Sequence, residues 1–152
     1  MRIIIAVLGA LGIGAFAAFL LMPQRPAPQA RFPELQGKVA VVNFWATWCP
    51  ECVKETPRMV EAHRRFAARG YETVAVAVRD QPARVAEFAQ RRGLPYKVIV
   101  DTDGSIAREF GNIRLTPTTF LIDRHGRVLR RYVGEPKWDE FDRLVEQALA
   151  NQ

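Results

Sequence analysis

The sequence predicts an α/β domain in which helices cover both faces of a mixed central sheet, preceded by one membrane-spanning helix. Three observations support this prediction. A long uncharged apolar run opens the chain, apolar runs of strand length then alternate with helical patterns, and a β-hairpin followed by an amphipathic helix closes it. Strands that alternate with helices indicate a parallel sheet between helical layers, to which the hairpin adds antiparallel strands.

The opening segment has the length and composition of a membrane anchor. Residues 3–22 carry no charged side chain, and a helix needs about 20 apolar residues to cross a bilayer. Prolines follow, so we predict an uncleaved transmembrane anchor at residues 1–22 and a proline-rich linker at residues 23–31. The alternative is a cleaved signal peptide, because Ala15-Phe16-Ala17 has small residues at a suitable spacing. Either interpretation carries the remaining chain across the membrane.

Residues 32–152 form the predicted domain, and its first half follows a strand–helix–strand pattern. Lys38–Phe44 is a continuous apolar run, as expected for a strand that is buried on both faces. Pro50–Arg69 is predicted as a helix, because proline suits its first turn and Gly70 ends it. Further along the chain we predict a strand at residues 72–78, a helix at 82–92, a strand at 97–100 and a short helix at 105–110.

The second half of the domain is a hairpin and a final helix. Residues 118–123 and 127–133 are predicted as two strands that turn at Arg124-His125-Gly126. Trp138–Leu149 has its apolar residues at helical spacing and is predicted to pack one face against the sheet.

The charge of the chain does not indicate nucleic-acid binding. The formal net charge is +6, but the positive side chains are scattered in pairs such as Arg64-Arg65 and Arg130-Arg131. No interleaved aromatic residues offer a stacking platform for single strands. The charge instead suits solvated surfaces that meet acidic lipids or acidic partners.

The chain contains only two cysteines, and they are Cys49 and Cys52. One pair is too few for a structural disulfide framework, and a zinc site needs two further ligands. The only histidines, His63 and His125, have no ligand spacing to the pair. The sequence therefore predicts a redox-active dithiol, with no metal and no other cofactor.

The motif Trp48-Cys49-Pro50-Glu51-Cys52 falls where a buried strand ends and a helix begins. Unpaired amides and the positive end of the helix dipole stabilise a thiolate at this position. Cys49 is therefore predicted to have a lowered pKa and to be the exposed nucleophile. Cys52 lies one turn further along and is predicted to be the more buried resolving thiol.

Four segments resemble the TlpA/ResA/CcmG group of thioredoxin-like proteins, and the first three are short motifs. These are the active-site segment at residues 42–52, the lead-in at 35–39 and Thr116-Pro117-Thr118-Thr119-Phe120-Leu121-Ile122-Asp123, which is similar to the group's cis-proline loop and the strand after it. The segment from Asp80 to Arg92 resembles the helix-bearing insertion of this group. The resemblance implies a thioredoxin-like fold, membrane anchoring and exported dithiol chemistry that is usually reductive.

The resemblance also implies roles for single residues. Pro117 matches the cis-proline, and the backbone of Thr116 before it is expected to pair with a bound client strand. Trp48 is expected to lie beside the thiols as a lid. Glu55 matches a glutamate beneath the dithiol, where it would accept a proton from Cys52. Asn43 replaces the buried aspartate of plain thioredoxin and cannot ionise, so Glu55 is the only local base.

The predicted function is the reduction of disulfides in exported client proteins, such as apocytochrome c or oxidase assembly factors. The domain would face the outer side of a bacterial cytoplasmic membrane and would receive electrons from a membrane donor of the DsbD/CcdA type. Two alternatives stay open, namely an oxidant that inserts disulfides and an assembly protein that handles Cu(I). A peroxiredoxin-like peroxidase is disfavoured, because there is no separate resolving cysteine.

Overall fold

Five strands form one mixed sheet at the centre of residues 31–151, the part of the chain that the computed structural model describes. In chain order the elements are β1 (Val39–Trp45), α1 (Pro50–Phe66), β2 (Tyr71–Val78), α2 (Pro82–Arg92), β3 (Lys97–Asp101), α3 (Ser105–Glu109), β4 (Thr118–Ile122), β5 (Val128–Val133) and α4 (Trp138–Ala150). The strand order is β3-β2-β1-β4-β5. The predicted order of helices and strands is confirmed.

The central strand β1 is parallel to β2 on one side and antiparallel to β4 on the other. Because side chains alternate across a strand, Val39 and Val41 face one layer while Ala40, Val42 and Phe44 face the other. The first layer holds α1, α2 and α4, and the second holds the short α3 and the segment that precedes β1. Helices therefore flank both faces, as predicted.

Helix α1 begins at Pro50, as predicted, but its regular turns end at Phe66, three residues before the predicted end at Arg69. Ala67–Arg69 tighten into a 3-10 turn, and Gly70 reverses the chain with a φ of 92°. Arg124 from the hairpin turn packs against Gly70 and donates hydrogen bonds to the carbonyl oxygens of Gly37 and Arg69. A φ of 92° is a conformation that side chains other than glycine rarely adopt, so the turn depends on glycine.

Three phenylalanines anchor the face of the sheet that carries α3. Phe44 of β1 lies 5.1 Å from Phe110 and 6.0 Å from Phe120 between ring centroids, and all three rings meet edge to face. Such contacts add to the free energy of burying the rings. This cluster fixes β1 and β4 against α3, and both strands lead directly into the site described below.

The predicted anchor at residues 1–22 lies outside the described residues, as does nearly all of the linker at 23–31. Among the helices of residues 31–151, none combines the length and the apolar character needed to span a bilayer.

Candidate active site

Cys49 and Cys52 are joined in a disulfide at the N-terminus of α1, with their Cα atoms 5.3 Å apart. Cys49 caps the helix in an extended conformation, and its Sγ accepts a hydrogen bond of 3.2 Å from the backbone N–H of Cys52. Pro50 occupies the first helical turn, where its missing N–H leaves no partner unpaired. The helix terminus therefore directs an amide at the sulfur of Cys49, which stabilises negative charge there.

Both cysteines are buried in the disulfide state, Cys49 at 5% exposure and Cys52 at 1%. Cys49 is the more exposed of the two, but it is less open to solvent than the sequence led us to expect. The reason is a lining of apolar side chains from β1, the loop after it, β2 and α2. The residues that share this cluster with the cysteines are Trp45, Ala46, Ala75, Ala77, Val85 and Phe88.

The loop before β4 lies against the disulfide. The carbonyl oxygen of Thr116 is 3.6 Å from Cys49 Sγ, and the Thr116–Pro117 peptide bond is cis. The N–H of Gly134 donates to the carbonyl oxygen of Pro117 at 2.8 Å. The hydroxyl of Thr118 donates to the carbonyl oxygen of Leu115 at 2.7 Å. The loop is thus held from both sides with the backbone of Thr116 directed at Cys49.

Trp48 stands at the edge of the site with 49% of its surface exposed. Its indole N–H donates to the carbonyl oxygen of Arg79 at 2.9 Å, and the guanidinium of Arg79 lies 5.8 Å from the ring centroid. Arg79 also donates to the carbonyl oxygen of Arg114 and has a φ of 52°. These contacts link Trp48, through Arg79, to the segment that precedes the cis-proline loop.

A second polar contact fixes the approach to the motif. Asp80, directly after Arg79, accepts hydrogen bonds from the backbone N–H of Thr47 at 2.6 Å and from its hydroxyl at 2.7 Å. Burial alone would raise the pKa of Asp80, but the hydrogen bonds from Thr47 and Gln81, together with the charge of Arg84, hold the pKa below its ordinary value. The ionised carboxylate therefore ties the loop before Cys49 to the end of β2.

Glu55 lies one helical turn after Cys52 and is 2% exposed. Burial raises its pKa to about 7, and the negative charges of Glu135 and Glu51 add to the effect, whereas a hydrogen bond from Asn43 opposes it. One carboxylate oxygen, Oε2, is buried and has no hydrogen-bond partner within residues 31–151. A carboxyl group of this kind can take up or release a proton near neutral pH.

Asn43 and Thr119 complete this polar group, and the sequence reasoning assigned no role to either contact. The Asn43 amide donates to Glu55 Oε1 at 3.0 Å and to the hydroxyl oxygen of Thr119 at 2.9 Å. A signal was present in the sequence, because Asn43 is the one amide in the otherwise apolar run of β1. A buried amide needs partners.

The site brings together all six residues that the sequence singled out, from α1, from the turn before it and from the cis-proline loop. Within the described residues, no group of three or more His, Cys, Asp or Glu side chains is placed to hold a metal ion. The arrangement has the parts that disulfide exchange requires: two adjacent sulfurs, amides that stabilise a thiolate, and a nearby acid–base group.

Comparison with known proteins agrees with this chemistry. A family model described as Redoxin matches residues 24–149. The thiol-disulfide oxidoreductase ResA of Geobacillus kaustophilus is 31% identical over 137 residues, which cover 90% of this chain and 78% of the relative. ResA of Bacillus subtilis is 32% identical over 121 residues, which cover 80% of this chain and 67% of the relative.

Solved structures agree as well. The crystal structure of a thioredoxin-family thiol:disulfide interchange protein from Chlorobium tepidum is 38% identical, with a TM-score of 0.71 over 78% of this chain and 84% of that chain. A secreted disulfide oxidoreductase of Mycobacterium tuberculosis, homologous to E. coli DsbE, is 26% identical, with a TM-score of 0.65 over 76% and 85% of the two chains. The fold is therefore thioredoxin-like, and the chain belongs to the redoxin family as a thiol–disulfide oxidoreductase of the ResA type.

Proposed function

We propose that this chain is anchored in the cytoplasmic membrane and reduces disulfides of client proteins on the outer side through Cys49 and Cys52. The observation that carries the reductive direction is the pair of acidic residues around the dithiol: Glu51 lies inside the motif, and Glu55, whose pKa is raised to about 7 so that it is partly ionised at neutral pH, lies one turn beyond Cys52. Strongly oxidising members of this chemistry have a high reduction potential because the thiolate of their reduced state is very stable. Carboxylates close to the sulfurs oppose that thiolate and favour the release of electrons.

In the reaction, the thiolate of Cys49 attacks one sulfur of the client disulfide, and the other client sulfur leaves as a thiolate that takes up a proton. Cys52 then loses its proton to Glu55 and attacks Cys49 Sγ, which releases the second client sulfur. Two electrons pass to the client, and the Cys49–Cys52 disulfide forms. The backbone of Thr116 would hold the client strand in line with Cys49 during both steps.

The reduction potential of the domain at residues 31–152 tests the direction. We expect a value near that of thioredoxin, about −270 mV, because the two carboxylates disfavour the thiolate. Equilibration with glutathione buffers, followed by alkylation and mass measurement, gives the potential. A value near about −120 mV, typical of strong oxidants, would instead favour the insertion of disulfides into clients.

The anchor and the partners are part of the same proposal. The uncharged run at residues 3–22 suits a membrane-spanning helix, and the nine residues at 23–31 reach about 28 Å if they are extended as proline-rich chains are. That reach keeps the domain close to the bilayer.

A membrane donor of dithiol electrons, of the DsbD/CcdA type, would then meet the oxidised site without diffusion in bulk solution. Apocytochrome c and oxidase assembly factors are the clients that the family resemblance suggests.

Fractionation of cells that express the full chain tests the anchor. We expect the protein to remain in the membrane fraction after an alkaline wash and the domain to be cut by protease added from the outer side. Recovery of a soluble exported protein whose N-terminus lies near Ala18 would show that the segment is a cleaved signal peptide instead.

A further inference from the structure

We propose that Asn43 and Thr119 act as a positioning pair, which holds one oxygen of Glu55 and leaves the other to exchange a proton with Cys52. The inference rests on the proposed role of Glu55 in the exchange reaction. It assigns a function to two buried polar residues on neighbouring strands that do not touch the sulfur atoms.

The position of Asn43 in the sheet requires an explanation. Every residue of β1 is buried, and Asn43 is its only amide side chain. Its neighbours Val41 and Trp45 on the same face pack against apolar side chains. Burying an amide costs free energy that an apolar residue at position 43 would avoid. We therefore expect the hydrogen bonds of the amide to have a function.

Those contacts use all the donors that the amide has. An asparagine NH₂ group carries two hydrogens, and here one points at Glu55 Oε1 and the other at the hydroxyl oxygen of Thr119. Asn43 and Thr119 are directly paired residues of the antiparallel strands β1 and β4. The sheet itself therefore sets the orientation of the amide, and a side-chain rotation would break both bonds at once.

Orientation of the amide decides which oxygen of Glu55 is chemically active. Oε1 already receives a hydrogen from Asn43, so the acidic proton of neutral Glu55 resides on Oε2. Oε2 is buried and has no hydrogen-bond partner among the described residues. It is thus the oxygen that is free to accept a proton when Cys52, one turn away, must become a thiolate.

The pair also connects Glu55 to the client-binding loop. Thr119 follows Pro117 by two residues on β4, and Thr116 faces Cys49 across the site. Asn43 therefore bridges the strand before the cysteines, the helix that carries them and the strand after the cis-proline loop. This bridge keeps the acid–base group in register with both sulfurs and with the backbone that receives the client.

Three other titratable groups interact electrostatically with Glu55 and must stay constant in any test. Glu51 on its own helix and Glu135 after β5 raise its pKa through their charges. Tyr96, in the loop before β3, has a pKa that is raised mainly by burial and further by the charge of Glu55. Variants of Asn43 and Thr119 leave all three unchanged, so a change in the titration of Glu55 reports on the pair.

The test is a pH–rate profile of client reduction for Asn43→Leu, which has a similar shape and no donors, with the Glu55 carboxyl titrated by ¹³C NMR. We expect the midpoint of the Glu55-dependent limb to rise by about one pH unit, which lowers the rate at neutral pH by up to about tenfold. Thr119→Val removes the second acceptor and should move the midpoint in the same direction by less. Thr119→Ser, which keeps the hydroxyl, is the matched control and should stay within about twofold of wild type.

A Glu55→Gln background separates this inference from the proposed function. There, Asn43→Leu should leave the profile unchanged, because no carboxylate remains to be positioned. If Glu55→Gln alters the profile but Asn43→Leu and Thr119→Val do not move the midpoint, the positioning role is wrong and the function stands. If Glu55→Gln itself superimposes on wild type, the acid–base role fails and the positioning role fails with it. Should Asn43→Leu not fold, a folded Thr119→Val with an unshifted midpoint overturns the inference.

Discussion

Replacement of Cys49 by serine is expected to abolish disulfide exchange completely, whereas replacement of Cys52 by serine should accumulate client proteins as mixed disulfides. Cys49 caps α1 and receives the N–H of Cys52, so its thiolate is the stabilised one and attacks first. Without Cys52, nothing attacks the mixed disulfide that Cys49 has formed. Non-reducing electrophoresis of cell extracts, with and without a later reducing step, distinguishes the two variants.

Alkylation of the reduced wild-type protein near neutral pH provides the control for this assignment. We expect Cys49 to be labelled well before Cys52, since Cys49 is the more exposed sulfur and lies at the end of the helix. Faster labelling of Cys52, or trapping of clients by the Cys49→Ser variant, would reverse the roles of attacking and resolving thiol.

Replacement of Glu55 by glutamine is expected to slow client reduction by about tenfold and to remove one limb of the pH–rate profile. Burial raises the pKa of Glu55 to about 7, so the carboxylate becomes available as a base when the pH rises through that value. Glutamine keeps the shape and the acceptor for Asn43 but cannot take up a proton. Profiles for wild type and variant, with titration of the reduced cysteines alongside, measure the effect. Identical profiles would assign the proton transfer to water.

The same substitution, although it slows the reaction, is expected to stabilise the folded protein at neutral pH. Between pH 4.5 and about 7 the folded protein keeps a proton on Glu55 that the unfolded chain has lost, so stability falls as the pH rises. One pKa unit corresponds to about 1.36 kcal/mol, so above pH 7 the ionisation of buried Glu55 lowers the free energy of unfolding by about 3 kcal/mol. The free energy of unfolding of Glu55→Gln, relative to wild type, should therefore increase by about that amount from pH 4 to pH 8. Denaturant titrations at the two pH values check this, and a constant difference would contradict the raised pKa.

Much of the fold could be predicted because its signals are local. Buried strands such as β1 are nearly continuous apolar runs, and Pro50 and Gly93 mark where helices begin and end. The predicted end of α1 lies three residues too late, because Ala67–Arg69 form a single exposed turn in which the sequence does not distinguish a 3-10 from an α-helical conformation. Only the hydrogen bonds of the turn distinguish them.

The site was less predictable wherever it depends on contacts between distant segments. The cysteines, the cis-proline loop and Glu55 came from motifs, but the sequence does not reveal which atoms meet Glu55. The bond from Asn43 to Thr119 joins residues 76 positions apart, and it exists because the register of β1 and β4 places them opposite each other. The carbonyl oxygen of Arg79 accepts a hydrogen bond from Trp48, and Arg79 has a positive φ that the sequence around it does not predict. Such contacts follow from tertiary packing.

The two residues between the cysteines are exposed, as Trp48 before them is, whereas both cysteines and Glu55 are buried. Pro50 and Glu51 project from the first turn of α1, and the side-chain contact of Glu51 is a 3.6 Å ion pair with Lys54 on the same turn. Exchange of these two side chains therefore changes the charge beside the sulfurs without disturbing the core. The acid–base group Glu55 lies one turn further along the same helix, where it is buried and bonded to Asn43 of β1, and the client-binding backbone lies in the loop before β4, so both keep their geometry. Redox potential and client selection are consequently separable traits in this scaffold, which evolution or an engineer can adjust one at a time.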